Sequence, residues 1–499
     1  MFLGANGSLG GLHRGNDFII LAIRSIILGD WLPLAPTMLL ESLQVSRSLR
    51  DPFELDQRVG LSTLSECKQR RWPWAEAIWQ KHCRNTIFLI PELLKSMTNR
   101  CRTQIGHTLS RYNFLACIAA FSSLLLGQAA EPELPKLSAQ KTSNVSLRNE
   151  VKHAIDKGWA WLEHEQNTNG FWSTPDHPAV TALALTSYRL LPGALDQKDE
   201  PASVKKGYAY LMSCVQPDGG IYRKEMASYN TSVALTALVL GNHPEFQSAI
   251  LNARKFIIGL QADLGEPGKV DTASDGGIGY AKSDKRPDLS NTSWALEALY
   301  LSKNYVKDKN LPDAGDLNWP AAIHFIQSCQ NLPDYNSESW ASDDPQNKGG
   351  FIYAPGQSMG GQTSLASGRV ALRSYGSMSY AGLLSYAYAD LKPEDPRVTA
   401  VMDWLRANYT VDENPALGAE GLYYYYLVMS KALALYGADS FQTRDGRTVK
   451  WREDLALKLM NLQHSDGSWV HDNARWWEKD PILVTAFSLI ALDLAYKQM

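Results

Sequence analysis

Apolar positions recur along this chain at the spacing of a helix face. Val151, Ile155, Trp159 and Leu162 fall at i, i+4, i+8 and i+11, which places them on one side of a helix. Gln166 then leads into a turn with Gly170 and Trp172, and a more uniformly apolar run follows, AVTALALTSYRLL. The same phrase returns as KKGYAYLMSCVQPDGGIY (Gln216, Gly220, Tyr222), as FIIGLQ with GGIGY (Gln261, Gly277, Tyr280) and as FIQSCQ with GGFIY (Gln330, Gly350, Tyr353). A fifth copy is degenerate, MDWLRANY with EGLYYYY, and has Asn408 where the Gln would stand. The sixth, LMNLQHSDGSW, restores Gln463, Gly467 and Trp469. The turn glycines 170, 220, 277, 350, 421 and 467 lie 46 to 73 residues apart, the period of a helical hairpin with inserted loops.

A hairpin that is apolar on two sides cannot bury both faces alone, so the units must stack, and closing the stack removes its exposed ends. The pattern predicts an all-α fold, a closed (α/α)6 toroid of six helical hairpins over residues 149–499. Within each turn the glycine tolerates positive φ, and Asn169, Asp218, Asp275 and Asp466 before it favour the same reversal. The turn aromatic is expected to fill the groove between hairpins, and the Gln to satisfy backbone groups at helix ends. All three residues are read as structural.

Lys157, Gly158, Trp161, Leu162, Gln166, Gly170 and Trp172 fill, position by position, the repeat of squalene–hopene cyclases and other triterpene cyclases. Over about 350 residues the chain resembles the C-terminal half of such a cyclase, or the β-subunit of a protein prenyltransferase. The resemblance implies a double-layered α/α ring whose inner helices start around a central cavity, and a terpene or isoprenoid cyclase or mutase activity within it. A complete triterpene cyclase has two such domains, and this chain has room for one.

The segments expected to open the inner helices supply Asp176 and Asp480 as candidate acids. They also supply His177, Tyr229, Asn230, Asp288, Trp294, Tyr375, Tyr380, Tyr423 and Tyr424 as candidate cavity residues. Cyclising a polyene requires a strong proton donor and π-faces that stabilise a travelling cation while water is excluded. The family's acid motif has three aspartates, whereas here Pro175-Asp176-His177-Pro178 retains one, so Asp176 also reads as a helix N-cap ahead of Pro178. Asp288 and Asp480 carry the same second reading. Of Tyr423 to Tyr426, at most two can face one cavity, because a helix turns about 100° per residue. The late repeats lack the Cys and His with which prenyltransferases hold zinc, so neither a catalytic metal nor another cofactor is expected.

Composition narrows the partners. A net charge of −3, from 49 Lys+Arg against 52 Asp+Glu, offers no basic excess for nucleic acid. Cys214 and Cys329 sit in helical runs and read as small core residues. From Met97 the chain has Arg100, Arg102 and Arg111, then a 13-residue apolar run from Phe114 to Leu126, then Gly127, Ala129 and Ala130. That order describes a signal peptide over 97–130, too short to span a bilayer, with a linker at 131–148. Residues 1–96 show no sustained period and read as an upstream extension or a disordered stretch. The expectation is an exported protein with an apolar, isoprenoid-like ligand and peripheral membrane contact. Two alternatives remain: an exported binding or scaffold ring without catalysis, and a polysaccharide-acting α/α-ring enzyme.

Overall fold

In chain order the helices are α1 (Ala139–His164), α2 (Pro178–Leu190), α3 (Ala202–Ser213), α4 (Ala227–Gly241), α5 (Gln247–Ile258) and α6 (Leu289–Asp308), followed by α7 (Trp319–Ser328), α8 (Gly376–Tyr388), α9 (Pro396–Ala407), α10 (Leu422–Tyr436), α11 (Trp451–Leu462) and α12 (Pro481–Tyr496). This is a helix-rich, all-α architecture in a computed structural model. It describes residues 139–499 apart from 195–198, 282–285, 313–314, 366–367 and 498. The expected segments 1–96 and 97–130 lie outside the described residues, as does the first part of the expected linker.

Even- and odd-numbered helices differ in what they bury. All 13 residues of α2 are buried, as its Ala- and Leu-rich sequence without an obvious polar face requires. By contrast α11 buries Trp451, Arg452, Leu455, Ala456 and Leu459, one stripe at helical spacing. The even-numbered helices pack in sequence, α2 on α4, α4 on α6, α6 on α8, α8 on α10 and α10 on α12, and α12 packs on α2. Odd-numbered helices lie against them, α3 on α2, α5 on α4 and α6, α9 on α8, and both α11 and α1 on α12. Helix α1 starts at Ala139, ahead of the expected 149. Its early residues have tertiary anchors: the Arg148 guanidinium stacks 3.9 Å from the Tyr496 ring and donates to the carbonyls of Tyr496 (2.6 Å) and Met499 (3.0 Å). A cation is favoured at that C-terminal helix end.

The turn glutamines act as bridges. Gln166 Nε2 donates to Gly170 O in its own turn (2.9 Å) and to Ser203 O in α3 (2.8 Å). Gln261 joins Gly276 O to Asn318 O, and Gln330 joins Gly349 O to Arg397 O. The last, Gln463, joins Gly467 O to Ala154 O in α1, both at 2.9 Å. Gln216 instead donates to Cys214 O and Tyr222 O. Asn408, one methylene shorter, reaches Trp404 O of its own helix. Gln463→Leu is expected to cost about 1–2 kcal/mol, the loss of two partly buried hydrogen bonds. Urea denaturation measures it, and a variant indistinguishable from the parent would contradict the bridging role.

Hydroxyls on the even-numbered helices fix the turn register, which differs from the sequence reading. Thr181, Thr231, Thr292, Ser379 and Thr485 accept from the backbone N–H of Trp172, Ile221, Ile278, Phe351 and Trp469, at 2.9 to 3.1 Å. The equivalent of Trp172 in the middle repeats is therefore Ile221, Ile278 or Phe351, each fully buried, and not Tyr222, Tyr280 or Tyr353. In the Gly-Gly doublets the left-handed residue is the first, Gly219, Gly276 or Gly349, and not Gly220, Gly277 or Gly350. Gly421 is left-handed too, as the N-cap residue of α10.

Two short antiparallel hairpins, β1 (Gln362–Ser364) with β2 (Val370–Leu372) and β3 (Phe441–Gln442) with β4 (Thr448–Val449), occupy inserted loops and have no counterpart in the sequence expectation. Cys214 and Cys329 are free thiols in the core. No helix among the described residues is long and apolar enough to cross a membrane.

Candidate functional site

The starts of the even-numbered helices surround a cavity of about 380 Å3. Helices α2, α4 and α6 present His177, Val180, Tyr229, Ser290, Asn291 and Trp294; α8, α10 and α12 add Tyr375, Met378, Tyr424, Leu483 and Phe487. The rings meet one another: Trp294 lies edge-on to Tyr229 at 5.8 Å and near Tyr424 at 6.4 Å, and Tyr424 near Phe487 at 6.3 Å.

Below Trp294 sits an ion pair. Lys431 Nζ lies 4.4 Å from that ring's centre and 2.8 Å from Glu297 Oε1, joining α10 to α6 across α8. The Lys431 and Glu297 side chains are 9% and 8% exposed, and both also border a smaller apolar cavity of about 60 Å3.

The first turn of α6 makes one wall polar. Asp288 is the N-cap and accepts from Asn291 N (2.8 Å) and Asn291 Nδ2 (2.7 Å). Only 3% exposed, its carboxyl is pushed up to about 6 by burial, against hydrogen bonds from Asn291 and the Tyr353 hydroxyl that favour the anion. Tyr353 also shares a hydrogen bond with Tyr280, and Ser290 Oγ lies 3.1 Å from the Tyr424 hydroxyl. Because the folded value lies above the ordinary Asp value of about 3.9, the folded state holds this proton more tightly than the unfolded chain. Its contribution is fully present below pH ~4 and falls by roughly 2–3 kcal/mol as pH rises through ~6. Asp288→Asn keeps a good cap and is expected to remove that slope. Urea titrations at pH 4.5 and 7 measure it, and equal pH dependence in both proteins would contradict the assignment.

The cavity's mouth carries two exposed tryptophans in left-handed backbone, Trp476 (φ 53°) and Trp477 (φ 66°). Trp477 meets His177 edge-on at 4.4 Å, and the Trp476 ring lies over Gly421, where a Cβ would come within 2.9 Å of it. Glu478, the next residue, is buried and accepts from Tyr424 N (2.8 Å). Burial lowers the His177 pKa, with Asp176 and Glu225 opposing.

Of the residues singled out from sequence, His177, Tyr229, Trp294, Tyr375 and Tyr424 line the cavity, and six do not. Asp176 sits on the rim, 39% exposed and paired with Lys224 Nζ at 2.8 Å; the N-cap residue of α2 is His177, so Asp176 caps nothing. Asp480 caps α12 through Ile482 N (2.9 Å) and accepts from the Ser173 hydroxyl. Asn230 is a connector: its Oδ1 accepts from Ala179 N and its Nδ2 donates to Glu225 O and Met226 O. Asp288 lies behind the wall. Tyr380 packs on Tyr425 at 5.6 Å between α8 and α10, and Tyr423 packs on Tyr426 and His471. Tyr424 alone of its run of four lines the cavity, because the helical turn sends the other three between layers.

Sequence reasoning missed Tyr280 and Tyr353, assigned to the turn, and Trp476 and Trp477, whose adjacent placement just before an inner helix was the available signal. Among the described residues no group of three His, Cys, Asp or Glu converges as metal ligands would.

No protein-family model and no curated protein matches the chain. Among solved structures, the chain is similar to type II terpene cyclase MstE from Scytonema. A substituted form of MstE in complex with geranylgeranyl dihydroxybenzoate (substrate) is 13% identical, with a TM-score of 0.40, and 71% of this chain and 99% of that one are covered. A second, in complex with merosterolic acid A (product), is 12% identical with a TM-score of 0.39 and the same coverage of 71% and 99%.

Proposed function

We propose that the chain is a closed (α/α)6 toroid and a terpene-cyclase-like protein that holds an isoprenoid in its aromatic hollow. The observation that carries this is the cavity lining: Trp294, Tyr229, Tyr424, Phe487 and Trp477 turn rings towards one space. Such surfaces suit the π-bonds of a polyene and stabilise positive charge. Closure is supported by the packing of α12 on α2 and by the Gln463 bridge to Ala154. The repeat residues Lys157 to Trp172 support the lineage.

Asp288 replaces Asp176 and Asp480 as the proton source in this reading. It is the carboxyl hydrogen-bonded to a cavity phenol, Tyr353, through which a proton would pass. Turnover of the isomerase or mutase type is then expected to rise as pH falls through about 6. Incubation with geranylgeraniol or squalene, followed by mass spectrometry of the extract, tests this. A product that the parent forms and Asp288→Asn does not is the expected result.

A second reading, a binding ring without catalysis, is favoured by the lack of any carboxylate among the described residues of the lining. A raised melting temperature with unchanged ligand would select it; neither product nor shift would overturn both. The same lining speaks against cleavage of polysaccharides, which uses two carboxylates flanking the bond.

Export is part of the proposal, resting on the basic start, apolar run and small residues of 97–130. Sequencing a mature N-terminus near 131 would bear it out, and residues retained before Met97 would refute it. Peripheral membrane contact draws support from Trp476 and Trp477, 43% and 47% exposed at the mouth.

A further inference from the structure

The cavity lining combines two chemistries. Val180, Met378, Leu483 and Phe487 offer no hydrogen bond. Ser290 and Asn291 of the first α6 turn, with the phenols of Tyr280, Tyr353, Tyr375 and Tyr424, do. A hollow built for a pure hydrocarbon has no need of that polar set, because each buried hydroxyl must find a partner or forfeit its hydration.

Most of these groups are satisfied by the protein. Tyr424 pairs with Ser290, Tyr353 with Asp288 and Tyr280, and Asn291 donates to Asp288. Among the described residues, three atoms are not: Asn291 Oδ1 has no partner, and the phenols of Tyr375 and Tyr229 line the cavity without a hydrogen bond to the protein, their charged neighbours acting only through space. Tyr375 is 2% exposed, so its hydroxyl has no route to bulk water other than the cavity.

Resting on the isoprenoid reading of the hollow, we propose that the ligand is an oxygenated isoprenoid, an alcohol, whose hydroxyl hydrogen-bonds to the Tyr375 phenol while its hydrocarbon body lies along α12 and Trp294. A phenol both donates and accepts, and so does an alcohol, so either orientation of the pair is satisfied.

The test compares geranylgeraniol with the hydrocarbon of the same skeleton that lacks the hydroxyl, in isothermal titration against the full chain, Tyr375→Phe and Tyr229→Phe. The parent is expected to prefer the alcohol about tenfold, the value of one buried hydrogen bond. Tyr375→Phe should abolish that preference and leave hydrocarbon binding unchanged, which also shows that the variant is folded. Equal binding of both molecules by the parent overturns this inference and leaves the isoprenoid reading intact, as does a preference that survives in both variants. Binding of neither molecule overturns the isoprenoid reading and this inference with it.

Discussion

Lys431→Met is expected to destabilise the protein by about 3–5 kcal/mol, the cost of leaving a buried charge without its partner. The Glu297 carboxylate accepts at 2.8 and 2.9 Å from the Lys431 ammonium, so the substitution strands an anion between helices. The Trp294 ring also loses the cation 4.4 Å from its centre. Replacing both partners, Glu297→Leu with Lys431→Met, removes the charge along with its need for a partner and is expected to recover most of the loss. Denaturant melts of the two single variants and the double variant form the cycle. Single variants within about 1 kcal/mol of the parent would mean the pair is hydrated and not buried between the helices.

The second large effect belongs to the turns. Gly276 has φ +89°, and a Cβ there would lie 1.9 Å from Ala321 O of the following helix. Gly268 has nearly the same φ, +80°, with nothing within 4 Å of the corresponding Cβ. The two glycines separate conformational preference from crowding. Gly268→Ala is expected to cost about 1 kcal/mol, the left-handed penalty alone. Gly276→Ala adds a backbone collision that only separating the turn from α7 relieves, and at least about 3 kcal/mol is expected. Gly170, Gly349 and Gly467 meet Lys206 O, Ala400 O and Lys157 O in the same way. If Gly276→Ala and Gly268→Ala shift the thermal midpoint equally, close docking of turn on helix is wrong.

These contacts show why the helices were legible in the sequence and the site only partly so. Helix periodicity and the Gln and Gly positions report local backbone requirements, and the described residues are helix-rich, as those signals require. What periodicity does not report is register within a turn. The phrases Gly-Gly-Ile-Gly-Tyr and Gly-Gly-Phe-Ile-Tyr each offer two large residues to one groove. The Thr292 and Ser379 hydroxyls choose Ile278 and Phe351, which frees Tyr280 and Tyr353 for the cavity. That choice depends on residues in the next helix, beyond the reach of the turn's own sequence.

The three aspartates could not be told apart in the sequence for a related reason. Asp176, Asp288 and Asp480 all precede an inner helix and look alike as caps. Their burial separates them, and burial is set by what the neighbouring units place beside them. Lys224 holds Asp176 at the rim, whereas Tyr353 and Asn291 enclose Asp288. Trp476 and Trp477 escaped notice because loops carry no period to read.

The hollow among six helix starts is proposed to hold an oxygenated isoprenoid. A crystal structure of the protein with geranylgeraniol tests that directly. It should show the ligand's chain between Trp294 and Phe487 and its oxygen within hydrogen-bond reach of the Tyr375 phenol. A centre filled by the protein's own side chains, or a ligand bound only outside the ring, would contradict it.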